Sequence, residues 1–233
     1  MNKIIAHRGV FDNIDVVENT IEAFKLAIKK QIPFELDVQL TKDNQLVVFH
    51  DNSLRRLANN IKIIQESNYD DIKNIKLLDQ ANIPLLKEVL ELNNDKVTID
   101  IEIKKTKRIK ETVDLLVKEL KPYTNYIIKS FDPRIVKYIH NNYSWIKCGL
   151  LIEYKYKRKW QKLLLKSSLP IKYCKPDFVA ISKQLLKDKK FMNRIKDIPT
   201  YIWTITDPKD IDLKNNYNYT YICNNLMDKN KNI

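Results

Sequence analysis

The five residues FELDV (Phe34–Val38) have the pattern of a β-strand that is buried on both faces. Every second residue is apolar, whereas Glu35 and Asp37 point together to the other side of the strand. Strands of this kind are typical of parallel sheets that are covered on both faces. Two neighbouring buried carboxylates repel each other, and a hard divalent cation with oxygen ligands would relieve that repulsion. The alternative is a solvated edge strand of alternating polarity.

Strand and helix patterns alternate along the rest of the chain. Short apolar, β-branched runs recur at intervals too long for hairpins, and amphipathic helical patterns separate most of them, which indicates parallel βα units. Nine strands are predicted, one more than a closed barrel of eight requires. They are Ile4–Ala6, Phe34–Val38, Leu46–Phe49, Val97–Ile103, Tyr126–Ser130, Ile146–Leu151, Phe178–Ile181, Tyr201–Thr204 and Tyr221–Cys223.

The pattern predicts one domain over residues 1–233, a (β/α)8 TIM barrel of the α/β class with a small insertion after the third strand. The insertion is the polar stretch of about residues 52–83, which has no clear period. A doubly wound open sheet is the structural alternative. The predicted helices are Thr20–Lys30, capped by Asn19 or Thr20, and Leu85–Leu92, Ile109–Leu120, Pro133–Asn141, Tyr156–Lys166, Lys183–Arg194 and Pro208–Asn215.

The formal net charge is +13, from 42 Lys and Arg against 29 Asp and Glu. A positive charge of this size attracts nucleic acid, anionic lipid or phosphorylated substrate. The lysines are spread along the chain and not gathered in one tract, however, and an AT-rich coding sequence would also produce many lysines. We therefore expect no nucleic-acid partner and leave open a weak association with anionic membrane surfaces.

The chain shows no sign of a membrane or secretory segment. No apolar run approaches the roughly 20 residues that cross a bilayer, and the first residues do not resemble a signal peptide, so we expect a cytosolic location. Three scattered cysteines, Cys148, Cys174 and Cys223, form no CxxC pair and are predicted to be buried small hydrophobes.

Polar side chains are concentrated at the ends of the early strands. Because barrel active sites lie at the C-terminal ends of the strands, these side chains are expected to converge in one mouth. Glu102 could add a third metal oxygen and Lys104 could contact an anionic group, although an interior salt bridge is equally compatible. The residues concerned are His7, Arg8, Glu35, Asp37, His50, Asp51, Glu102 and Lys104.

Two of the three histidines, His7 and His50, fall within this cluster. Imidazole titrates near neutral pH, so two histidines on either side of a scissile bond could share the base and acid roles. The third, His140, lies near a helix end and is predicted to be a surface residue or a C-terminal cap.

Five segments together resemble the glycerophosphodiester phosphodiesterase family. Weaker similarity follows in IIKSFD (127–132) and YIWTITD (201–207), so the resemblance covers most of the chain and is most specific up to about residue 104. The five segments are IAHRG (5–9), ENTIEAFKLAI (18–28), FELDVQLTKDNQLVVFHD (34–51), IPLLKEVLEL (83–92) and IDIEIK (99–104).

The resemblance implies a TIM-type barrel that hydrolyses glycerophosphodiesters, such as glycerophosphocholine, to sn-glycerol 3-phosphate and an alcohol. It implies a Ca²⁺ or Mg²⁺ ion held by Glu35, Asp37 and Glu102. For the remaining positions, it implies His7 and His50 as the acid and base pair, Arg8 and Lys104 as phosphate contacts, Glu18 as an organising carboxylate and Trp203 as an aromatic side chain at the mouth.

Other functions stay open at this point. A related activity would be that of a lysophospholipase D or a sphingomyelinase D on lipid phosphodiesters. A different class would be a catalytically decayed basic module that binds a polyanion. The chain also departs from the family where a Thr-Asp pair is common near the C-terminus, because Cys223 and Asn224 stand there.

Only two glycines occur in the chain, Gly9 and Gly149. Gly9 is predicted to let the backbone turn directly after the first strand and approach the ligand, so that its replacement would damage catalysis more than folding. Gly149 lies inside a predicted strand, where a packing role is expected.

Overall fold

Nine strands in the described part of the chain form one sheet, and eight of them close it into a parallel barrel. The computed structural model describes residues 4–154, 168–211 and 219–224. All nine predicted strands are present, with bounds shifted by a few residues. They are β1 (Ile4–Ala6), β2 (Phe34–Leu40), β3 (Leu46–Val48), β4 (Ile99–Ile103), β5 (Tyr126–Ser130), β6 (Cys148–Ile152), β7 (Phe178–Ser182), β8 (Thr200–Ile205) and β9 (Thr220–Cys223). The predicted (β/α)8 barrel is confirmed.

Strand β3, the one strand of the nine that is not part of the barrel ring, is antiparallel to β2. The expectation that every interval is too long for a hairpin is wrong here, because Asn44 adopts a left-handed φ of 64° and allows a tight turn. Strand β3 runs back along β2 toward the barrel mouth. Just after β3, the Phe49 N–H donates to the Asp37 carbonyl at 2.9 Å. The residue that follows, His50, is thereby delivered to the mouth.

Helices cover the outside of the barrel. Thr20 caps the first of them, as predicted, and its side chain accepts from the Ala23 N–H at 3.3 Å. The α-helices are α1 (Ile21–Lys29), α2 (Arg55–Ala58), α3 (Leu86–Asn93), α4 (Ile109–Leu120), α5 (Pro133–Asn142), α6 (Leu169–Cys174) and α7 (Lys189–Arg194), and the 3-10 helices are Ile64–Glu66, Tyr69–Asp71, Lys183–Lys187 and Pro208–Asp210.

Two of the predicted helices differ in the structure, and a third lies outside the described residues. The predicted helix Lys183–Arg194 is divided into a 3-10 helix and α7, because Asp188 caps α7 by accepting from the Phe191 N–H at 3.1 Å. The predicted helix Pro208–Asn215 begins as a 3-10 turn, and residues 212–218 lie outside the described residues. The predicted helix Tyr156–Lys166 also lies outside them, and α6 had no sequence prediction.

The insertion of residues 52–83 has a small hydrophobic core of its own. Its apolar side chains pack against β3, on the hairpin that projects above the barrel. The sequence showed no period here because the segment uses one short helix and two 3-10 turns instead of a long amphipathic helix. The cluster consists of Val17, Val47, Phe49, Leu54, Leu57, Ile64, Ile72, Leu77 and Ile83.

The barrel interior has a charged side and an apolar side. Alternate residues such as Leu36 and Ile101 point outward to the helices, so their neighbours on each strand point inward. The inward residues of β2, β4 and β5 include Glu35, Asp37, Asp100, Glu102 and Lys129, whereas those of β6 to β9 include Leu151, Phe178, Tyr201 and Ile222.

Gly149 makes room for an aromatic ring on the apolar side. A Cβ at this position would lie 2.3 Å from the Phe178 ring, which is itself only 4.6 Å from the Tyr201 ring. The expected packing role of Gly149 is therefore confirmed.

The free cysteines and His140 match their sequence predictions. Cys148, Cys174 and Cys223 are buried and unpaired, and burial raises the pKa of the Cys174 thiol to about 12. His140 is exposed in the last turn of α5.

No helix in residues 4–154, 168–211 and 219–224 is long and apolar enough to span a membrane. The cytosolic location stays a prediction.

Gly9, three residues after the end of β1, has a left-handed φ of 83°, which agrees with the predicted turn. Its close neighbour is helix α1 and not the ligand space, because an added Cβ would lie 2.8 Å from Ala23 Cβ and 2.9 Å from Ala23 C. The expected damage to catalysis is thus replaced by an expected damage to folding.

We expect the substitution Gly9→Val to destabilise the protein by about 2–4 kcal/mol, because it combines backbone strain with overpacking against α1. Urea denaturation followed by circular dichroism measures the change. Lys25→Ala on the exposed face of the same helix is the control, with an expected change within about 0.5 kcal/mol. A wild-type midpoint for Gly9→Val would contradict this account of Gly9.

Candidate functional site

Three buried carboxylates meet at the mouth of the barrel. Glu35 and Asp37 reach it from β2 and Glu102 from β4, where Asp37 and Glu102 are register partners on adjacent strands. One oxygen of each lies within 4.8 Å of the other two, and none of the three residues is more than 6% exposed. Their spacing and chemistry fit the oxygen ligand set of a hard divalent cation.

Two basic side chains contact this carboxylate trio from above. Lys104 Nζ lies 2.7 Å from Glu102 Oε1 and 3.2 Å from Asp37 Oδ1. Arg8 Nε lies 3.4 Å from Asp37 Oδ2, and the Arg8 backbone N–H donates to Glu35 Oε2 at 3.0 Å. Glu102 on β4 therefore has two roles: it forms an interior salt bridge with Lys104, and it is a member of the carboxylate trio.

A buried ion pair lies beneath the trio. Lys129 Nζ is 2.5 Å from Asp100 Oδ2 and 3.6 Å from Glu35 Oε1, and both Lys129 and Asp100 are almost completely shielded from solvent. Burial alone would lower the pKa of Lys129, but Asp100 and Glu35 raise it, so the ammonium stays charged. Lys129 therefore offsets negative charge inside the barrel.

Burial and the basic neighbours shift the pKa values of the two carboxylates on β2 in opposite directions. Burial raises the pKa of Glu35 to about 8, against the opposing effect of Lys129. Burial would raise the pKa of Asp37 as well, but Lys104 and Arg8 hold it well below its usual range. Asp37 is thus ionised at neutral pH, while Glu35 keeps its proton until a cation takes its place.

The ENT segment that precedes α1 supports the trio from the side. Asn19 Nδ2 donates to Asp37 Oδ2 at 2.9 Å, and the Asp37 N–H donates to Asn19 Oδ1 at 3.3 Å. Thr20 caps α1, which fixes Asn19 at the helix start. This segment therefore joins helix capping directly to the position of a candidate metal ligand.

His7 is oriented by an asparagine. Its Nδ1 lies 2.6 Å from Asn224 Oδ1, and its Nε2 faces Glu35 Oε2 at 4.0 Å. Burial, reinforced by Arg8, lowers the pKa of His7 to about 3. Because a carboxamide oxygen only accepts, Nδ1 carries the proton and Nε2 of the neutral ring keeps its lone pair.

His50 is oriented by a carboxylate. Its Nδ1 lies 2.6 Å from Asp51 Oδ1, and this contact fixes the orientation of the ring. Gln39, inside the hairpin, donates from Nε2 to the carbonyls of Phe49 and Asp51, both at 2.8 Å. These bonds hold the backbone on either side of His50.

Arg56 from the insertion connects the surroundings of His50 with those of Arg8. Its Nε donates to Asp51 Oδ2 at 2.7 Å and its Nη2 to Glu18 Oε1 at 2.6 Å. Glu18 also accepts from Arg8 Nη1 at 2.7 Å. Burial would raise the pKa of Glu18, but the hydrogen bonds from Arg56 and the charge of Arg8 lower it to about 2.

The mouth contains a cavity of about 300 Å³ with two chemically different walls. One wall is formed by the charged site residues and the other by aromatic and apolar side chains with one carboxylate. The lining residues are His7, Arg8, Glu35, His50, Glu102 and Lys129 on the first wall, and Phe131, Leu151, Glu153, Trp203, Thr204 and Ile222 on the second.

All nine site residues predicted from the sequence lie in or directly beside this cavity. Glu18, Asp37 and Lys104 stand behind the lining residues, in contact with them. Sequence reasoning did not assign roles to Lys129, Arg56 or Asn224. A lysine at an inward position of the apolar strand β5 was a readable signal, whereas the other two depend on contacts between distant segments.

Comparison with known proteins identifies the family. The model of the glycerophosphoryl diester phosphodiesterase family matches residues 7–229. The chain belongs to this family.

Curated relatives match over a shorter stretch. A glycerophosphodiester phosphodiesterase of Caldanaerobacter subterraneus is 46% identical over 71 residues, which are 30% of this chain and 28% of that protein. One of Bacillus altitudinis is 43% identical over 74 residues, 31% of this chain and 29% of its own length. The matched stretch thus spans less than a third of either relative.

Solved structures match over nearly the whole chain. A glycerophosphodiester phosphodiesterase of Thermotoga maritima superposes with a TM-score of 0.74 at 26% identity, covering 96% of this chain and 94% of its own. A phosphodiesterase of Oleispira antarctica, in complex with the product sn-glycerol 3-phosphate, has a TM-score of 0.76 at 21% identity, covering 95% and 92%. The latter likeness shows the shared fold.

We expect Arg56→Ala to lower the free energy of unfolding by about 1–3 kcal/mol near neutral pH, because buried Glu18 loses charged hydrogen bonds. The folded-state pKa of Glu18 is depressed, so its contribution is present above about 4.5 and is lost as the pH falls toward about 2. The deficit of Arg56→Ala should therefore shrink in acid.

Denaturation midpoints across this pH range provide the test. Arg55→Ala, an exposed neighbour on α2, is the matched control and should differ from wild type by no more than about 0.5 kcal/mol. Equal midpoints for Arg56→Ala and Arg55→Ala would show that the link to Glu18 has no energetic weight.

Proposed function

We propose that this chain hydrolyses glycerophosphodiesters to sn-glycerol 3-phosphate and an alcohol. The observation that carries the proposal is that His7 and His50 line one cavity with two members of the carboxylate trio, Glu35 and Glu102. Family membership supports this reaction class. The product bound by the Oleispira antarctica relative is the phosphate ester that the reaction would release.

The cofactor in this proposal is a divalent cation, Ca²⁺ or Mg²⁺, held by Glu35, Asp37 and Glu102. Three buried carboxylate oxygens within 4.8 Å of one another would repel each other without a cation, and such an ion would remove that repulsion. When bound, the ion would supply Lewis-acid stabilisation of charge on phosphoryl oxygens. Glu35, whose pKa is raised by burial, would release its proton on metal binding.

Arg8 and Lys104 bind the phosphate in this mechanism. Arg8 lines the cavity, and Lys104 lies behind the lining, where its ammonium contacts Glu102 and Asp37. Both cations offset negative charge on the equatorial oxygens as the transition state forms. Glu18 and Asn19 keep their roles as organisers, because they orient Arg8 and Asp37 without entering the cavity.

The two histidines take different roles because their partners differ. His7, neutral and with Nε2 unprotonated, acts as the general base that accepts a proton from the attacking water, or from a neighbouring glycerol hydroxyl. In the second case a cyclic phosphate forms first, and water then opens it to the phosphate monoester. His50, held through Nδ1 by Asp51, acts as the general acid that protonates the leaving alcohol. Trp203 supplies an aromatic face to the substrate from the apolar wall.

The direct test is a panel of glycerophosphodiesters incubated with purified protein and Ca²⁺ or Mg²⁺, with and without a chelator. Release of sn-glycerol 3-phosphate that stops when the metal is removed is expected. Release of choline from lysolipids only, in the presence of anionic vesicles, would favour the lysophospholipase D hypothesis. Absence of turnover on both substrate classes would favour a binding module.

We expect His7→Ala and His50→Ala each to lower kcat by about 10²–10⁴-fold, because each removes a positioned proton-transfer group. Rates of sn-glycerol 3-phosphate release measure the loss, and thermal denaturation checks that the variants fold. His140→Ala is the control, since His140 is exposed on α5. A wild-type rate for either site variant would remove that histidine from the mechanism.

We expect Glu35→Gln to weaken metal binding at least about tenfold, because a neutral amide replaces a carboxylate ligand. Because the pKa of Glu35 is raised to about 8, wild-type affinity should increase between about pH 6 and about pH 8, with proton release below that pKa. Isothermal titration calorimetry in two buffers of different ionisation enthalpy measures both quantities.

The exposed Glu111→Gln is the control for this titration and should bind metal as the wild type does. If Glu35→Gln kept the wild-type affinity and its pH dependence, Glu35 would not be a ligand.

A further inference from the structure

The second wall of the cavity has no role in the phosphate chemistry. It combines two aromatic side chains, Phe131 and Trp203, with the carboxylate of Glu153. Arg8 and Lys129 lie on the first wall, so the cationic groups that line the cavity are gathered where the phosphate binds. The opposite wall therefore offers a different chemistry to whatever group is esterified to that phosphate.

The aromatic rings of this wall are fixed in place. Trp203 Nε1 donates to the Ala180 carbonyl at 2.9 Å, which sets the plane of the indole. The Phe131 ring meets the indole edge to face, with centroids 5.5 Å apart and planes at 89°. Phe131 is 40% exposed, so the pair is held at the rim and its surface is open to a ligand.

Glu153 stands at the same height as the indole. It follows β6 by one residue, and the next residue, Tyr154, donates its N–H to Ser182 Oγ at 2.9 Å. Ser182 in turn is the register partner of Trp203 on β8. The carboxylate is thereby carried on the inner rim, within the same cavity as both rings.

Aromatic faces beside a carboxylate bind ammonium groups. The face of Trp or Phe attracts a cation through the ring quadrupole, and a carboxylate adds charge complementarity. We propose that Phe131, Glu153 and Trp203 form a subsite for a cationic leaving group, a quaternary or primary ammonium alcohol, on the substrate. This inference rests on the proposed function, and it extends it to the choice of alcohol.

The test measures kcat/KM for glycerophosphocholine and for glycerophosphoglycerol, which differ in the charge of the alcohol. The wild type should prefer the cationic substrate. Glu153→Gln should lower the ratio of the two kcat/KM values about threefold to fivefold, the size of one partly exposed ion pair, mainly through KM of glycerophosphocholine. Glu153→Lys should lower it further, and Phe131→Leu should lower it by removing a ring.

Glu22→Gln is the matched control, because it removes one exposed carboxylate from α1 and should leave the ratio unchanged. An unchanged ratio in Glu153→Gln and Phe131→Leu, with normal turnover, would overturn the subsite and leave the proposed function intact. Failure of the wild type to release sn-glycerol 3-phosphate from both diesters would overturn the proposed function, and the subsite with it.

Discussion

Four carboxylates buried inside one barrel are the constraint on which the rest of the structure depends. Carboxyl groups so placed would lose, on ionisation, far more hydration energy than the fold could tolerate without close partners. The partners come from three different segments, so the strands must close in one register for any of them to be satisfied. The carboxylates are Glu35, Asp37, Asp100 and Glu102, and the partners are Arg8, Lys104 and Lys129.

Local backbone features follow from that electrostatic requirement. Arg8 has a left-handed φ of 59°, which turns its N–H toward Glu35 while its guanidinium reaches Asp37 and Glu18. Gly9 continues the turn and lets helix α1 approach. The same helix begins beside Asn19, the amide partner of Asp37. The packing of α1 and the placement of the charged groups therefore depend on each other. The apolar side of the barrel takes no part in these contacts and can face another part of a ligand.

Much of the fold and site could be predicted, because the periods of buried strands are short and local. The alternation in FELDV and IDIEIK predicted which carboxylates point inward, and α4 was predicted to the residue. The hairpin of β2 and β3 could not be predicted as such, since it depends on how Asn44 turns. Arg56 reaches the site from a segment whose sequence carries no signal of the contact. Asn224 stood out in the sequence only as a departure from the family's Thr-Asp pair, because its contact with His7 arises only when the chain closes.

The central claim is that the carboxylate trio holds a divalent cation at the barrel mouth. Anomalous diffraction from crystals soaked in Mn²⁺ tests it most directly, because the anomalous map locates the ion independently of activity. The account predicts one strong peak within coordination distance of oxygens of Glu35, Asp37 and Glu102, with the Lys104 ammonium moved away from the bridging contacts it makes here. A map with no peak at the trio, and with Lys104 still bonded to Asp37 and Glu102, would contradict it.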